Sequence, residues 1–482
     1  MGTSALPKFE LLNFGQIDAA LEAQEMPDLL VSGYYDYNQA VQHILDGRTW
    51  LILGPKGSGK SAVLEHIRLR WKTEWNRFYT GWDLAGFPVN DVTRMAMGQT
   101  AGSSRNQAAW EFLLLLRVVE SLASDEGMHV DAKFYGIVKN LRTKGLLSSD
   151  WSGSVAAWSS SSFKLDLKIF STETRVDVAS ITPLEANAYL WQMIEWCQTE
   201  SRHVIALDGL DSFFFEQADE WTSLAGLMQA TLALNRKMKD QGLPVSVVIA
   251  ARSDVVDVLP GPEINRLKSH AVYLDWHANG IGSRNHLWEL LSTKARVVHP
   301  EVTNIVAQYL NRRVSIGPHT ELTEYLLDHT RLLPRDAVAL MRYLQRNYRG
   351  NGKVPEENAK VAVRAYCEEY FVGEIFDNLA GVLPLSRARH VEAFKDALRT
   401  SPSRYFSFEF VCDEVKGELE PVEVKQLLKQ MFEIGGIGVR NGKFVDFVYR
   451  RVGGAGFTTR HGFMLHDALT RAWNRPWGRQ DL

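Results

Sequence analysis

Cysteine is scarce in this chain: three residues in 482, Cys197, Cys367 and Cys412. They are widely spaced and match no metal-ligand pattern. That excludes a disulfide framework and suits a reducing compartment. An excess of charge is lacking too: 54 basic residues against 57 acidic ones leave a formal net charge of −3. No global field therefore draws the chain to nucleic acid. No apolar run approaches membrane-spanning length, so no membrane partner is expected. The opening Met1-Gly2-Thr3-Ser4-Ala5-Leu6-Pro7 has no basic stretch followed by an apolar core, so it does not read as a signal peptide. Gly2 makes no myristoylation signal, because Leu6 stands where Ser or Thr is needed. The expected location is the cytoplasm. No nuclease, protease or metal-hydrolase signature is present. What remains is a globular composition, 45% hydrophobic and 23% charged, in a chain too long for one core.

The chain is organised around Leu51-Ile52-Leu53-Gly54-Pro55-Lys56-Gly57-Ser58-Gly59-Lys60-Ser61-Ala62. Gly54, Gly59, Lys60 and Ser61 match the Walker A loop G-x-x-x-x-G-K-[ST]. Trp50 to Leu53 is a short apolar run of the kind a buried parallel strand shows. After the loop, Val63, Leu64, Ile67 and Trp71 share one helical face. Strand, glycine loop and helix follow in the order the chemistry needs. Glycines let the backbone aim its N–H groups at phosphate, and the helix adds its positive end. Gly54 through Ala62 are thus the expected nucleotide-binding stretch. Lys60 is placed to reach the β- and γ-phosphates, and Ser61 to ligate Mg²⁺. The expected cofactors are ATP and Mg²⁺; no base-reading motif excludes GTP.

His203-Val204-Ile205-Ala206-Leu207-Asp208 is an apolar run ending in a carboxylate, a Walker B strand. Asp208 is the expected Mg²⁺ residue. Many such ATPases place a glutamate next, to orient the attacking water; here it is Gly209. Asp211 is the substitute base, with Asp83 as another, and Asp211 serves equally well as a cap. Slow turnover is the expectation. Val245 to Ala251 is a further buried strand, and Arg252 at its end is the candidate γ-phosphate sensor. Arg266, just before the strand Ala271–Leu274, is the candidate for projection into a neighbouring subunit's site, or a solvated charge. Arg335, after Pro334 at a helix start, is the candidate lid arginine. Tyr34 and Tyr35 stand where an adenine face is often supplied, though packing explains them as readily.

Elsewhere, Ile17–Ala23 and Tyr37–Leu45 read as helices, and Arg77–Asp83 as a strand. Residues 84–106 read as a loop, and Ala108–Leu122 as a buried helix. Phe163 to Ile169 alternates with period two, a half-exposed strand, with Val176 and Val178 in its partner. Thr182-Pro183-Leu184-Glu185 is a capping-box helix start. Residues from about Ser283 to Tyr348 read as helical, interrupted at Arg331–Asp336 and resuming over Ala337–Leu344; 349–358 read as a linker and 359–378 as a helix. Two helices, Phe406–Val415 and Pro421–Phe432, then precede a hairpin turning at Asn441-Gly442, the pattern of a winged helix. Lys425 and Lys429 are set against Glu423 and Glu433; Arg440, Lys443, Arg450 and Arg451 make the hairpin side more basic. Such a domain binds DNA or protein, and its charges do not choose.

The expected fold class is α/β: a three-layer P-loop NTPase domain with a parallel sheet, then a helical lid and an α+β winged-helix domain. The boundaries expected are 1–48 for lead-in helices, 49–298 for the ATPase domain with an insertion at about 124–180, 299–378 for the lid, and 379–482 for the winged helix and tail.

This arrangement resembles the ASCE class of P-loop ATPases on its AAA+/STAND side, and is similar to origin-recognition-type initiators in ending with a lid and a winged helix. It looks most like a group of bacterial P-loop ATPases sharing a G-P-[KR]-G-S-G-K-[ST] loop, an Asp-Gly-Leu-Asp Walker B, an Arg-Ser-Asp after the next strand and a Pro-Arg-Asp lid motif. Here those are Gly54–Ser61, Asp208–Asp211, Arg252–Asp254 and Pro334–Asp336. The resemblance spans roughly residues 30–450 and leaves out the insertion. It implies homo-oligomers or an accompanying effector protein, and roles in DNA transactions or antiviral defence. The resulting expectation is an ATP-driven switch; the alternative is an ATP-dependent DNA loader.

Overall fold

The apolar runs near residues 51, 205 and 248 become neighbouring strands, because each is buried on both faces and only a covered parallel sheet can use them. In the computed structural model, the residues described are 6–84, 92, 103–147, 151–159, 182–210, 218–259, 264–277, 282–449 and 456–477. The alternating run Phe163–Ile169, its partner, Asp211, Arg450 and Arg451 lie outside them. Contacts divide the chain into two units. One comprises Asp36–Gly54 and Lys60–Leu274; the other comprises Met1–Tyr35, Pro55–Gly59 and Asp275–Leu482.

The first unit holds a five-stranded parallel sheet, β1 (Leu51–Leu53), β2 (Arg77–Asp83), β3 (Arg202–Asp208), β4 (Val245–Ala251) and β5 (Ala271–Tyr273), in the order β2-β3-β4-β1-β5. This is the parallel sheet of a P-loop NTPase domain. Strand β4, between β1 and β3, is longer than β1. Its last residues, Ile249 to Ala251, pair with Leu51 to Leu53. That leaves Val247 facing no strand on the β1 side. The Asn235 side chain fills the gap, donating to Val247 O and accepting from Val247 N–H, each at 2.8 Å. Asn235 belongs to the helix Ala218–Asp240, so one amide both completes the sheet and fixes the helix against it.

A second long helix, Ser103–Ala123, packs along Ala218–Asp240. It starts earlier than its apolar periodicity indicates and takes in the end of the expected 84–106 loop. Gly226 permits the approach: a Cβ there would fall 2.8 Å from Asn106 Cβ. Trp110 Nε1 donates to Ser223 Oγ at 3.1 Å. The helix Pro183–Glu195 starts as expected, with Thr182 and Glu185 forming a complete capping box. Within the expected insertion lies a helix, Trp151–Ser159. It is tied to the core by Arg117, whose buried guanidinium donates to Ser154 Oγ at 2.5 Å and lies 4.7 Å over the Trp82 ring.

The second unit combines a helical part and a winged helix. The stretch expected to be helical from Ser283 to Tyr348 is interrupted by a hairpin, β6 (Arg313–Ile316) with β7 (His319–Glu321). Gly317, at φ +57°, makes the turn. The helix expected over 359–378 is two α-helical pieces, Glu356–Tyr366 and Val372–Asp377, joined by a π-turn at Cys367–Phe371. The winged helix consists of helices His390–Thr400, Phe408–Glu414 and Pro421–Glu433 with an antiparallel sheet. That sheet has the order β10 (Phe444–Asp446), β9 (Ile437–Asn441), β11 (Phe463–Leu465), β8 (Tyr405–Phe406). The Asn441-Gly442 hairpin forms as expected, with Gly442 at φ +60°. Strands β8 and β11 were not legible, being two and three residues long.

Candidate nucleotide-binding site

Three of the sequence-expected residues follow from the sheet order alone. In the sheet unit, Gly54, Asp208 and Arg252 all lie at the carboxyl ends of β1, β3 and β4. Register sets Leu53 opposite Ala251 and Asp83 opposite Asp208. In open α/β sheets, ligands bind outside these carboxyl ends. Lys60 begins the helix Lys60–Trp71 and is only 3% exposed; its Nζ donates to Gly54 O at 3.2 Å. Ser61 follows on the same helical turn.

Asp208 is held in place locally. Gly209 N–H donates to its Oδ1 at 2.8 Å, and Leu84 N–H to its backbone oxygen at 2.8 Å. Gly209 has φ +81°, a conformation that costs a residue with a side chain about 1 kcal/mol or more. A glutamate here would therefore be strained as well as absent. Tyr79, on β2, was not singled out by the sequence. Burial raises its phenol well above the usual value, and the Glu65 and Asp208 carboxylates add to that, so it stays a neutral hydroxyl beside the expected Mg²⁺ residue. Its ring occupies the space over Gly81, where a Cβ would lie 2.7 Å from it.

Arg252 immediately precedes the short helix Ser253–Asp257, makes no side-chain capping bond to it and is largely buried. Its guanidinium makes a two-point ion pair with Asp254, at 3.0 and 2.5 Å. The Arg-Ser-Asp triplet is thus a local clasp. Arg266 is exposed on the helix Ile264–Lys268, ahead of β5. Asp211 lies outside the described residues.

In the other unit, the turn Pro55–Gly59 is held by its neighbours. Ser58 O accepts from Trp276 Nε1 at 2.9 Å, Gly57 O from Arg335 N–H at 3.3 Å, and Lys56 Nζ donates to Asn378 Oδ1 at 3.0 Å. Gly57 and Gly59 have φ of +87° and +97°. A Cβ on Gly57 would stand 3.2 Å from Arg335 Cβ, while the space over Gly59 is open. The Ser58 hydroxyl is buried and has no hydrogen-bond partner among the described residues. Two left-handed glycines, open space at one of them and an unsatisfied buried hydroxyl fit a loop shaped for a polyphosphate. The Arg335 guanidinium donates to Ile17 O at 3.2 Å and lies 3.4 Å from Glu374.

Asp336 of the Pro-Arg-Asp motif has a structural task. It accepts from the Arg331 backbone at 2.9 Å and from its guanidinium at 2.8 and 2.6 Å, with both side chains buried. Arg331 was not singled out by the sequence. The pairing explains Leu332 at φ +55°: the chain doubles back so that Arg331 meets a carboxylate five residues on. Tyr35 packs in this unit, 6.2 Å from Trp276 between ring centroids, with its hydroxyl 2.6 Å from His286 Nδ1.

No helix among the described residues is long and apolar enough to cross a membrane. No protein-family model matches the chain, and no curated protein matches it. Among solved structures, the crystal structure of Cdc6p from Pyrobaculum aerophilum aligns over 93% of this chain and 98% of that one, at 13% identity and a TM-score of 0.33. A likeness that distant transfers no residue and no activity.

Proposed function

We propose that the protein is an ATP-binding, slowly hydrolysing molecular switch that acts as a homo-oligomer and controls a partner protein. The observation that carries this reading is the strand order β2-β3-β4-β1-β5, with the Walker A loop leaving β1 and Asp208 ending β3. Lys60 would neutralise the β- and γ-phosphates. The Ser61 hydroxyl and the Asp208 carboxylate would hold Mg²⁺, which when bound supplies charge for the developing phosphoryl oxygens. Slow turnover is supported by Gly209, whose left-handed backbone replaces the glutamate that would orient water. Asp211 and Asp83 remain the proposed substitutes. Arg252 reaches a γ-phosphate in this reading by exchanging Asp254 for it, and Arg335 by exchanging Glu374. Arg266, exposed, is the proposed arginine offered to a neighbouring subunit. The resemblance noted from the sequence offers control of an effector in antiviral defence as one role for such a switch.

The test is calorimetry with ATP and Mg²⁺. Lys60→Ala should lose binding by at least about a hundredfold, consistent with removal of charge-assisted bonds worth ~1.5–3 kcal/mol each. Unchanged affinity would remove the basis of the proposal.

One observation favours a second reading, an ATP-dependent DNA-binding loader. In the helix Pro421–Glu433, Lys425 and Lys429 are exposed one turn apart, while Glu423 is turned to Arg387 at 2.7 Å. The outward face is thereby more basic than its sequence.

A further inference from the structure

We propose that His319, Asp328 and Asp467 form a binding site for zinc, with His329 accepting a hydrogen bond from a water in the metal's fourth position. His319 opens β7, Asp328 ends the helix Leu322–Asp328, and Asp467 opens the helix Asp467–Ala472. Folding brings one donor atom of each within 4.8 Å of the other two. Zinc bonds of about 2.0–2.2 Å at tetrahedral angles need ligand atoms about 3.3–3.6 Å apart, so small side-chain rotations close the set. One imidazole and two carboxylates are a nitrogen and oxygen donor set that zinc accepts.

The hydrogen bonds around the donors are those of a ligand shell. His319 Nδ1 lies 3.1 Å from Ile316 O. A carbonyl only accepts, so Nδ1 carries the hydrogen and Nε2 faces the carboxylates, 2.7 Å from Asp328 Oδ2. A proton between them is what the metal replaces. Metal-bound histidines almost always donate their second ring N–H to a carboxylate, a backbone carbonyl or a water. Asp467 is steadied by the Arg404 guanidinium, which donates to Oδ1.

A separate observation points to a ligand. His329 is 1% exposed, and its Nδ1 donates to Tyr325 O at 2.8 Å. Its Nε2 is therefore a bare lone pair, and it is buried without a hydrogen-bond partner among the described residues. An unsatisfied buried acceptor costs about 1–3 kcal/mol. The ring lies 6.3 Å from that of His319, and the Asp467 carboxylate, the Arg471 guanidinium and the Asp328 carboxylate all act on it. A metal carrying a water would bind the carboxylate oxygens and present a hydrogen to His329. His329 is not one of the three clustered donors, which assigns it to the water and not to the metal. All four residues belong to one unit, where the metal would tie the β6–β7 hairpin to the helix Asp467–Ala472.

The experiment uses tag-free, nucleotide-free full-length protein stripped with chelator and titrated with Zn²⁺ and Co²⁺. One equivalent should bind, with the strong visible absorption of tetrahedral Co²⁺, and one equivalent of Zn²⁺ should displace it. Asp208→Asn should leave this unchanged, separating the site from the expected Mg²⁺ residue. With far-ultraviolet circular dichroism confirming the fold, His319→Gln and Asp328→Asn should each abolish the absorption. His329→Ala should weaken binding by about 10–100-fold, as loss of an outer partner does. If the wild-type protein takes up no tetrahedral metal, or binding survives both ligand substitutions, the proposal is overturned and His319 and Asp328 are an ion pair only.

Discussion

At the scale of single residues, burial decides what a titratable group does. His203 lies in β3, stacked on Phe78 at 4.7 Å, with Nδ1 2.9 Å from Ser121 Oγ. Burial pushes its pKa down to about 4 despite Asp125 nearby, so it is neutral in the folded protein. The unfolded chain takes up a proton below its ordinary value of about 6.5, and the folded one does not until about pH 4. His203 should therefore contribute a loss of about 2 kcal/mol of stability between pH 7 and pH 5, at 1.36 kcal/mol per unit, and the buried His329, also lowered to about 4, adds a loss of the same sign. Asp125, whose pKa is lowered, adds a loss in the same direction only at lower pH. Urea unfolding at the two pH values measures this. His203→Phe should remove about half of the slope that these two histidines set; an unaltered slope would show that His203 has no part in it.

Between elements, buried charge is useful only when fully paired. The Arg331–Asp336 pair joins the turn after Leu322–Asp328 to the helix Pro334–Asn347, and Tyr370 adds a hydroxyl 3.4 Å from Asp336. Arg331→Met should cost about 3–5 kcal/mol in urea unfolding, because it strands a fully buried carboxylate. Arg335→Ala should cost under about 1 kcal/mol, since its side chain is 24% exposed and its contact with Glu374 is 3.4 Å long. The two neighbouring arginines thus separate by assay. Loss of ATP response without loss of stability in Arg335→Ala would assign it to the nucleotide, and equal instability in both would assign it to the scaffold.

For the whole molecule, the proposed switch and the loader differ in what drives assembly. Light scattering after gel filtration should show a larger species with ATP and Mg²⁺ alone, and Arg266→Ala should reduce it without lowering ATP affinity. A shift that needs duplex DNA, and that weakens steeply with salt as lysine–phosphate contacts do, would favour the loader. A protein that remains monomeric under both conditions would sink both oligomeric readings.

How much of this was legible depended on distance along the chain. The Walker loop, the capping box at Thr182, the strands β1 to β5 and the Asn441-Gly442 hairpin are decided within a few residues, by apolar period, glycine and capping chemistry. The sequence by itself therefore determined the fold class and the phosphate loop. Tertiary structure alone decided the strand order, the short strands β8 and β11, the Arg331–Asp336 pair and the meeting of His319, Asp328 and Asp467. Those depend on which surfaces can be buried together, and a two-residue strand or a carboxylate 139 positions from its partner carries no periodic signal. Gly209 shows both halves at once. Its identity announced a missing glutamate, and only the folded backbone, at φ +81°, gave the physical reason a glycine stands there.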